Sequence, residues 1–83
     1  MKIELKLYAS LGQYLPKSAE RNVAQVDIGD GGSPHSVLLD HGVPLENCHL
    51  VLVNGVYIAP SERNDLELKD GDALAVWPPV AGG

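Results

Sequence analysis

The end of the sequence carries the residues with the clearest chemistry. Gly82 and Gly83 are its last two residues, and Pro78 and Pro79 precede them closely. Glycine has no Cβ, so a Gly-Gly segment passes through a channel too narrow for any side chain. The prolines stiffen the approach and reduce the entropy lost on insertion. This pattern predicts a tail that enters the active site of a partner enzyme.

The reactive group of such a tail would be the α-carboxylate of Gly83. A carboxylate is anionic at neutral pH and a poor electrophile, but a partner can convert it to an acyl-adenylate that sulfur or nitrogen nucleophiles attack. Because the chain contains no Gly-x-x-x-x-Gly-Lys segment, the ATP site is expected on the partner. We expect a protein substrate with no cofactor of its own, not an enzyme. The competing interpretation is an inert, small-residue terminus.

Composition narrows the classes of function. The chain has 83 residues, 45% of them hydrophobic, which suits one small globular domain. Its net charge of −5 argues against nucleic-acid binding and against a polybasic membrane-surface module. No apolar run is long enough to span a bilayer, and the single cysteine, Cys48, indicates a reducing cytoplasm. We therefore expect neither nucleic-acid nor membrane partners.

Hydrophobic periodicity predicts the strands. Hydrophobic and polar residues alternate over 2–8, 24–28 and 73–77, which is typical of half-buried strands. The nearly continuous apolar run at 49–53 suggests a central strand. Asn54-Gly55 then predicts a tight hairpin turn into a strand at 56–58.

One helix is predicted between the second and third strands. Ser33 is a suitable N-cap, Pro34 suits the first helical position, and Gly42 marks the end. Because this helix is too short to be stable alone, it must pack on the sheet. The order strand–strand–helix–strand–strand–strand predicts an α+β, ubiquitin-like β-grasp fold: a mixed five-stranded sheet crossed by one helix. We expect residues 1–77 to form this domain and residues 78–83 to form a flexible tail.

Residues 68–72 read Leu-Lys-Asp-Gly-Asp, and residues 75–83 read Ala-Val-Trp-Pro-Pro-Val-Ala-Gly-Gly. These segments resemble the end of the MoaD-type members of the MoaD/ThiS sulfur-carrier superfamily, the small subunits of molybdopterin synthase. Residues 50–55 resemble the central hairpin of the family, and residues 2–8 followed by Leu11-Gly12 resemble its first strand and loop. The aromatic-Pro-Pro-Val-Ala lead-in distinguishes this end from thiamine-type carriers, which share only the glycines. The helix segment at 33–42 is shorter than is typical.

The resemblance implies a role for each residue of the tail. A ubiquitin-activating-like adenylyltransferase would adenylate Gly83, and a sulfurtransferase would convert it to a thiocarboxylate. The tail would insert into the large catalytic subunit of molybdopterin synthase, which uses the sulfur to build the dithiolene of molybdopterin. The residues expected to contact partners are Trp77, Pro78, Pro79, Val80, Ala81 and Gly82. Trp77 also has a second interpretation, as an aromatic residue of the core.

Other functions remain open on the sequence. A carrier could serve thiamine, tungstopterin or tRNA thiolation, a ubiquitin-like modifier would end in an isopeptide bond, and a plain binding module would have an inert tail. The residues His35, His41, His49 and Cys48 lack metal-ligand spacing, so no metal site is expected. The acidic stretch of Asp65, Glu67, Asp70 and Asp72 is interpreted as a solvated turn, or alternatively as a surface that attracts a basic partner.

Overall fold

The computed structural model describes residues 1–79 and contains the elements expected for a β-grasp domain. The bounds are β1 (Lys2–Leu7), β2 (Val23–Asp27), α1 (Pro34–Asp40), β3 (Leu50–Val53), β4 (Val56–Tyr57) and β5 (Ala73–Trp77), with 3₁₀ turns at Ala9–Tyr14, Leu45–Asn47 and Pro60–Glu62. This order confirms the predicted succession of strands and helix. None of the helices within residues 1–79 is long and apolar enough to cross a membrane.

Five strands within the described residues form one mixed sheet in the order β2-β1-β5-β3-β4. The first and last strands, β1 and β5, pair in parallel, while the other neighbours pair antiparallel. β3 is an inner strand, as its apolar run predicts, but β5 occupies the centre and β3 lies between β5 and the edge strand β4. Burial alternates along β3, so its apolar residues do not all face the core.

The helix begins where the sequence predicts. The Ser33 hydroxyl accepts from the Ser36 amide at 3.1 Å, and the Ser36 hydroxyl accepts from the Ser33 amide at 2.8 Å. This reciprocal arrangement satisfies two amides at the start of α1. Gly42 follows the helix with φ of +76°, a value that favours glycine. With both ends satisfied, a seven-residue helix packs on one face of the sheet.

The core lies between α1 and one face of the sheet. Alternate residues of each inner strand point toward the helix, as period-two patterning requires. These strand residues are fully or almost fully buried, as are two residues of the helix: Ile3, Leu5, Leu7, Val51, Val53, Leu74, Val76, Val37 and Leu38. The helix does not cover the opposite face of the sheet, which we call the open face.

A polar network joins the β3–β4 turn to the start of β5. Asn54 and Gly55 have φ of +51° and +82°, as the predicted tight turn requires. The Asp72 carboxylate accepts from the Asn54 side-chain amide at 2.9 Å and from the Lys69 backbone amide at 2.8 Å. The Asn54 side-chain oxygen accepts from the Ala73 amide at 2.9 Å. These bonds fix the end of the β3–β5 pair that lies farthest from the tail.

The acidic stretch is therefore partly structural. Asp72 belongs to this network, and the Asp70 carboxylate accepts from the Lys2 amide at 2.8 Å. The hydrogen bonds from Lys69 and then Asn54 lower the pKa of Asp72 below 3.8. Asp65 and Glu67 are exposed. Half of the acidic stretch thus stabilises turns rather than simply facing solvent.

We expect Asp72→Asn to remove a pH-dependent contribution to stability. Because the pKa of Asp72 is lowered by folding, its carboxylate stabilises the native state above pH 3.8, and this stabilisation is lost as the pH falls through the lower native value. At pH 7 the variant should be destabilised by up to about 1 kcal/mol, since the side chain is largely solvated. Urea unfolding between pH 2.5 and 7 measures this difference. Asp65→Asn is the matched control, and an equal effect of both substitutions would contradict the prediction.

Candidate functional site

The candidate site begins where the central strand ends. Trp77 is the last residue of β5, and neither Pro78 nor Pro79 has a backbone N–H to continue a sheet. Pro78 is half-buried and Pro79 is exposed. The remaining predicted site residues lie outside the described residues: Val80, Ala81, Gly82 and Gly83. The tail therefore starts at the middle of the sheet, directly after a fixed strand.

Trp77 lies on the open face of the sheet. Its neighbours along the strand, Leu74 and Val76, point into the core, so the alternation of β5 directs Trp77 to the other side. Its side chain is half-buried rather than enclosed. The interpretation of Trp77 as a core residue is wrong, and a partner can reach it.

Tyr8 stacks on Trp77. The ring centroids lie 4.5 Å apart and the planes are inclined by 10°. The Tyr8 amide donates to the Val76 carbonyl at 3.1 Å, which extends the β1–β5 pairing by one residue. Sequence reasoning missed Tyr8. Its position beside Trp77 depends on the parallel register of β1 and β5, which are neighbours in the sheet but lie near opposite ends of the sequence. The stack holds the indole in one orientation at the base of the tail.

An apolar patch surrounds this stack on the open face. Leu50 lies opposite Trp77, and Leu52 lies between Ala75 and Tyr57 in the adjoining strands. We call these residues the open-face patch: Tyr8, Leu50, Leu52, Tyr57, Ala75 and Trp77. Tyr57 is 53% exposed, and the others are half-buried. Large apolar side chains are thus grouped on one face of the sheet instead of being scattered singly over the surface.

The histidines and Cys48 are the sequence's other candidates for a site. Within residues 1–79, no three His, Cys, Asp or Glu residues lie close enough to hold a metal ion. His35 and Cys48 line the same small cavity, of about 130 Å³. The Cys48 thiol instead donates to the Pro44 carbonyl at 3.6 Å. Burial raises the pKa of Cys48, an effect that the nearby Arg63 opposes. A buried neutral thiol is a poor nucleophile.

The fold defines a class, a β-grasp protein, and the open-face patch lies beside the end of its central strand. The chain belongs to the ThiS family, whose family model matches residues 6–83. This is a family of small sulfur carriers and ubiquitin-like modifiers, and the resemblance to the MoaD/ThiS superfamily is confirmed. The comparison with curated proteins returned no match.

Solved structures share the whole fold. SAMP1 of Haloferax volcanii, a small archaeal modifier protein, is 26% identical with a TM-score of 0.67, and the match covers 100% of both chains. The HVO 2177 protein of the same organism is 25% identical with a TM-score of 0.75, over 100% of this chain and 87% of that chain. Molybdopterin-converting factor of Helicobacter pylori, solved as a complex of subunits 1 and 2, contains a chain 19% identical with a TM-score of 0.60, and the match covers 100% of both chains. This last likeness shows the fold alone.

We expect Cys48 to be inert toward alkylation in the native protein at neutral pH. Its pKa is raised above 9.0 by burial, so the native thiol stays neutral there and gains thiolate only at higher pH. Iodoacetamide should react at least about tenfold more slowly with the native protein than with the protein in guanidinium. By linkage, the stabilisation from the neutral thiol is present below pH 9.0 and is lost as the pH rises through the native pKa. Equal rates in the native and unfolded protein would contradict this.

Proposed function

We propose that the chain is a sulfur carrier for molybdopterin synthesis, acting as the small subunit of molybdopterin synthase. The observation that carries the proposal is the position of Trp77 in a chain of the ThiS family. It ends the central strand on the open face, and the Pro-Pro-Val-Ala-Gly-Gly segment follows it directly. We further propose that residues 1–77 are the carrier body and residues 78–83 the tail, and that the protein works in the cytoplasm.

The proposed chemistry takes place at Gly83. Its α-carboxylate attacks the α-phosphate of ATP in an adenylyltransferase, pyrophosphate leaves, and an acyl-adenylate forms. The terminal sulfur of a persulfide on a sulfurtransferase then displaces AMP and forms an acyl disulfide. A thiol attacks the sulfur of the sulfurtransferase in that disulfide, so that a thiocarboxylate leaves and the thiol ends in a disulfide. The carrier contributes a narrow, stiffened tail and no catalytic group, because Ala81 and Gly82 add almost no width and the prolines restrict the approach.

The open-face patch is the proposed docking surface for the large catalytic subunit. A partner that covers Trp77 and Tyr8 also receives the first residues of the tail, since Pro78 directly follows Trp77. Aromatic side chains at the centre of an interface commonly carry most of the binding energy. The related converting factor of Helicobacter pylori was solved as a complex of its two subunits, which supports a partner of this kind.

A second candidate function is protein modification. The likeness to SAMP1, a small archaeal modifier protein, supports it at 26% identity. A modifier uses the same activated Gly83, but a lysine amine displaces AMP and an isopeptide bond results. Carriers for thiamine, tungstopterin or tRNA thiolation share the thiocarboxylate and differ only in the acceptor of sulfur. The experiments below separate the modifier from the carriers.

We expect protein isolated from its native host to carry sulfur at Gly83. Intact-mass analysis should show a population heavier by the difference between one sulfur and one oxygen, and fragmentation should locate the change at the terminal residue. Conjugates linked through isopeptide bonds, without any thiocarboxylate, would contradict the carrier proposal and favour the modifier.

Deletion of Gly83 should abolish molybdopterin formation in a reconstituted synthase, because the reactive carboxylate is displaced by one residue. Gly29→Ala is the matched control, since an added Cβ at Gly29 meets nothing within 4 Å. The control should retain full activity. Synthesis that survives deletion of Gly83 would overturn the proposed function.

We expect Trp77→Ala to weaken binding to the large subunit by about 2 kcal/mol, or about 30-fold in Kd. Tyr8→Ala should weaken binding less, because it removes the stacking partner and only part of the contact area. Leu39→Ala is the control, since Leu39 is an apolar residue of α1 that is 55% exposed and lies on the other side of the sheet. Calorimetric titration measures all three, and equal effects at Leu39 and Trp77 would argue against docking through the patch.

A further inference from the structure

Arg63 is a charged side chain buried in the irregular segment between β4 and β5. It is only 8% exposed. Its guanidinium donates to three backbone carbonyls: Nε to Ile58 at 2.9 Å, Nη1 to Cys48 at 2.8 Å and Nη2 to His49 at 3.3 Å. One side chain thus joins the loop after β4 to the two residues that precede β3.

These carbonyls are the partners of the buried charge within the described residues. Residues 1–79 contain an ion pair between Lys6 and Glu4, but none that involves Arg63. Burying a charge is costly, and an apolar residue would fill the same space without that cost. The planar, forked guanidinium does what an apolar residue cannot, because it fixes several carbonyl groups in one geometry. Arg63 therefore matters for the backbone conformation that it imposes on Cys48 and His49.

His49 connects Arg63 to the base of the tail. Its amide donates to the Trp77 carbonyl at 3.0 Å and also contacts the Asn47 carbonyl at 3.1 Å. Its own carbonyl accepts from Arg63. The bond from His49 therefore reaches the last residue of β5, directly before Pro78 and Pro79, which have no N–H to continue the strand.

We infer that Arg63 is a positioning residue for the tail, acting through the backbone of His49 on the carbonyl of Trp77. When the Arg63 contacts hold the peptide groups of residues 48–49, the His49 amide meets the Trp77 carbonyl and the chain leaves the sheet at Pro78 in one direction. When they are lost, this end of the β3–β5 pair opens locally while the rest of the sheet stays formed. The consequence for sulfur transfer rests on the function proposed above.

Hydrogen exchange of the backbone amides tests the structural part. The Asn54 amide donates to the Ala73 carbonyl at 2.8 Å, at the opposite end of the same strand pair, and serves as the internal reference. In Arg63→Lys, which keeps the charge but loses the fork, exchange at His49 should accelerate about tenfold relative to Asn54. The matched control is Arg21→Lys, the same substitution at an exposed arginine. Unchanged His49 exchange, or equal acceleration at His49 and Asn54, would overturn the inference.

A measurement on the unmodified protein covers the case in which the variant does not fold. If the Arg63 contacts and the His49 bond open together, the Arg63 Nε proton and the His49 amide should have protection factors that agree within about threefold. An Arg63 proton that exchanges freely while His49 stays protected would overturn the inference.

A kinetic experiment tests the functional part of the inference. It measures thiocarboxylate formation by the activating enzyme and sulfurtransferase of the same host. For Arg63→Lys, kcat should fall about tenfold while KM stays within about twofold, because the open-face patch is unchanged. A rise in KM alone would assign Arg63 to docking and overturn its positioning role. If unmodified protein is not activated at all, the proposed function fails, whereas the exchange experiment still decides the role of Arg63.

Discussion

The parallel pairing of β1 with β5 is the contact on which the rest of the structure depends. It places Leu5 beside Leu74 and Leu7 beside Val76, all fully buried, at the centre of the sheet. Because β5 pairs with β1 on one side and β3 on the other, its backbone is held along both edges up to its last residue, Trp77. The same register places Tyr8 next to Trp77. One pairing therefore forms the core on one face and the aromatic stack on the other.

The two prolines after Trp77 end the sheet. Strand pairing needs an N–H at alternate positions, and the prolines at 78 and 79 cannot supply it. The sheet therefore ends at Trp77 for a local reason. For the proposed carrier this matters because a terminus paired in a sheet could not enter an active site. The aromatic side chains remain on the rigid body, where they lose little entropy on binding a partner.

Local chemistry made part of this structure predictable. Ser33 with Pro34 and Asn54 with Gly55 specify their own backbone geometry, so the helix start and the tight turn follow from neighbouring residues alone. The apolar run of β3 suggested burial on both faces, but burial alternates along this inner strand. Leu50 and Leu52 instead line the open-face patch, so their hydrophobicity suits a partner surface rather than the core. Tyr8 and Arg63 acquire their roles through long-range register, which no local pattern encodes.

The β3–β5 pair is held at both ends, but the two ends have different consequences. At one end the Asn54 and Asp72 side chains fix the turn and the start of β5, far from the tail. At the other end Arg63 holds the peptide groups of Cys48 and His49, next to Trp77. A change at the first end should destabilise the turn and the start of β5. A change at the second should loosen the end of the β3–β5 pair beside Trp77 while most of the core, which does not include Arg63's hydrogen bonds, remains packed. The positioning role inferred for Arg63 is thus separable from the stability of the sheet, although a single pair of strands carries both.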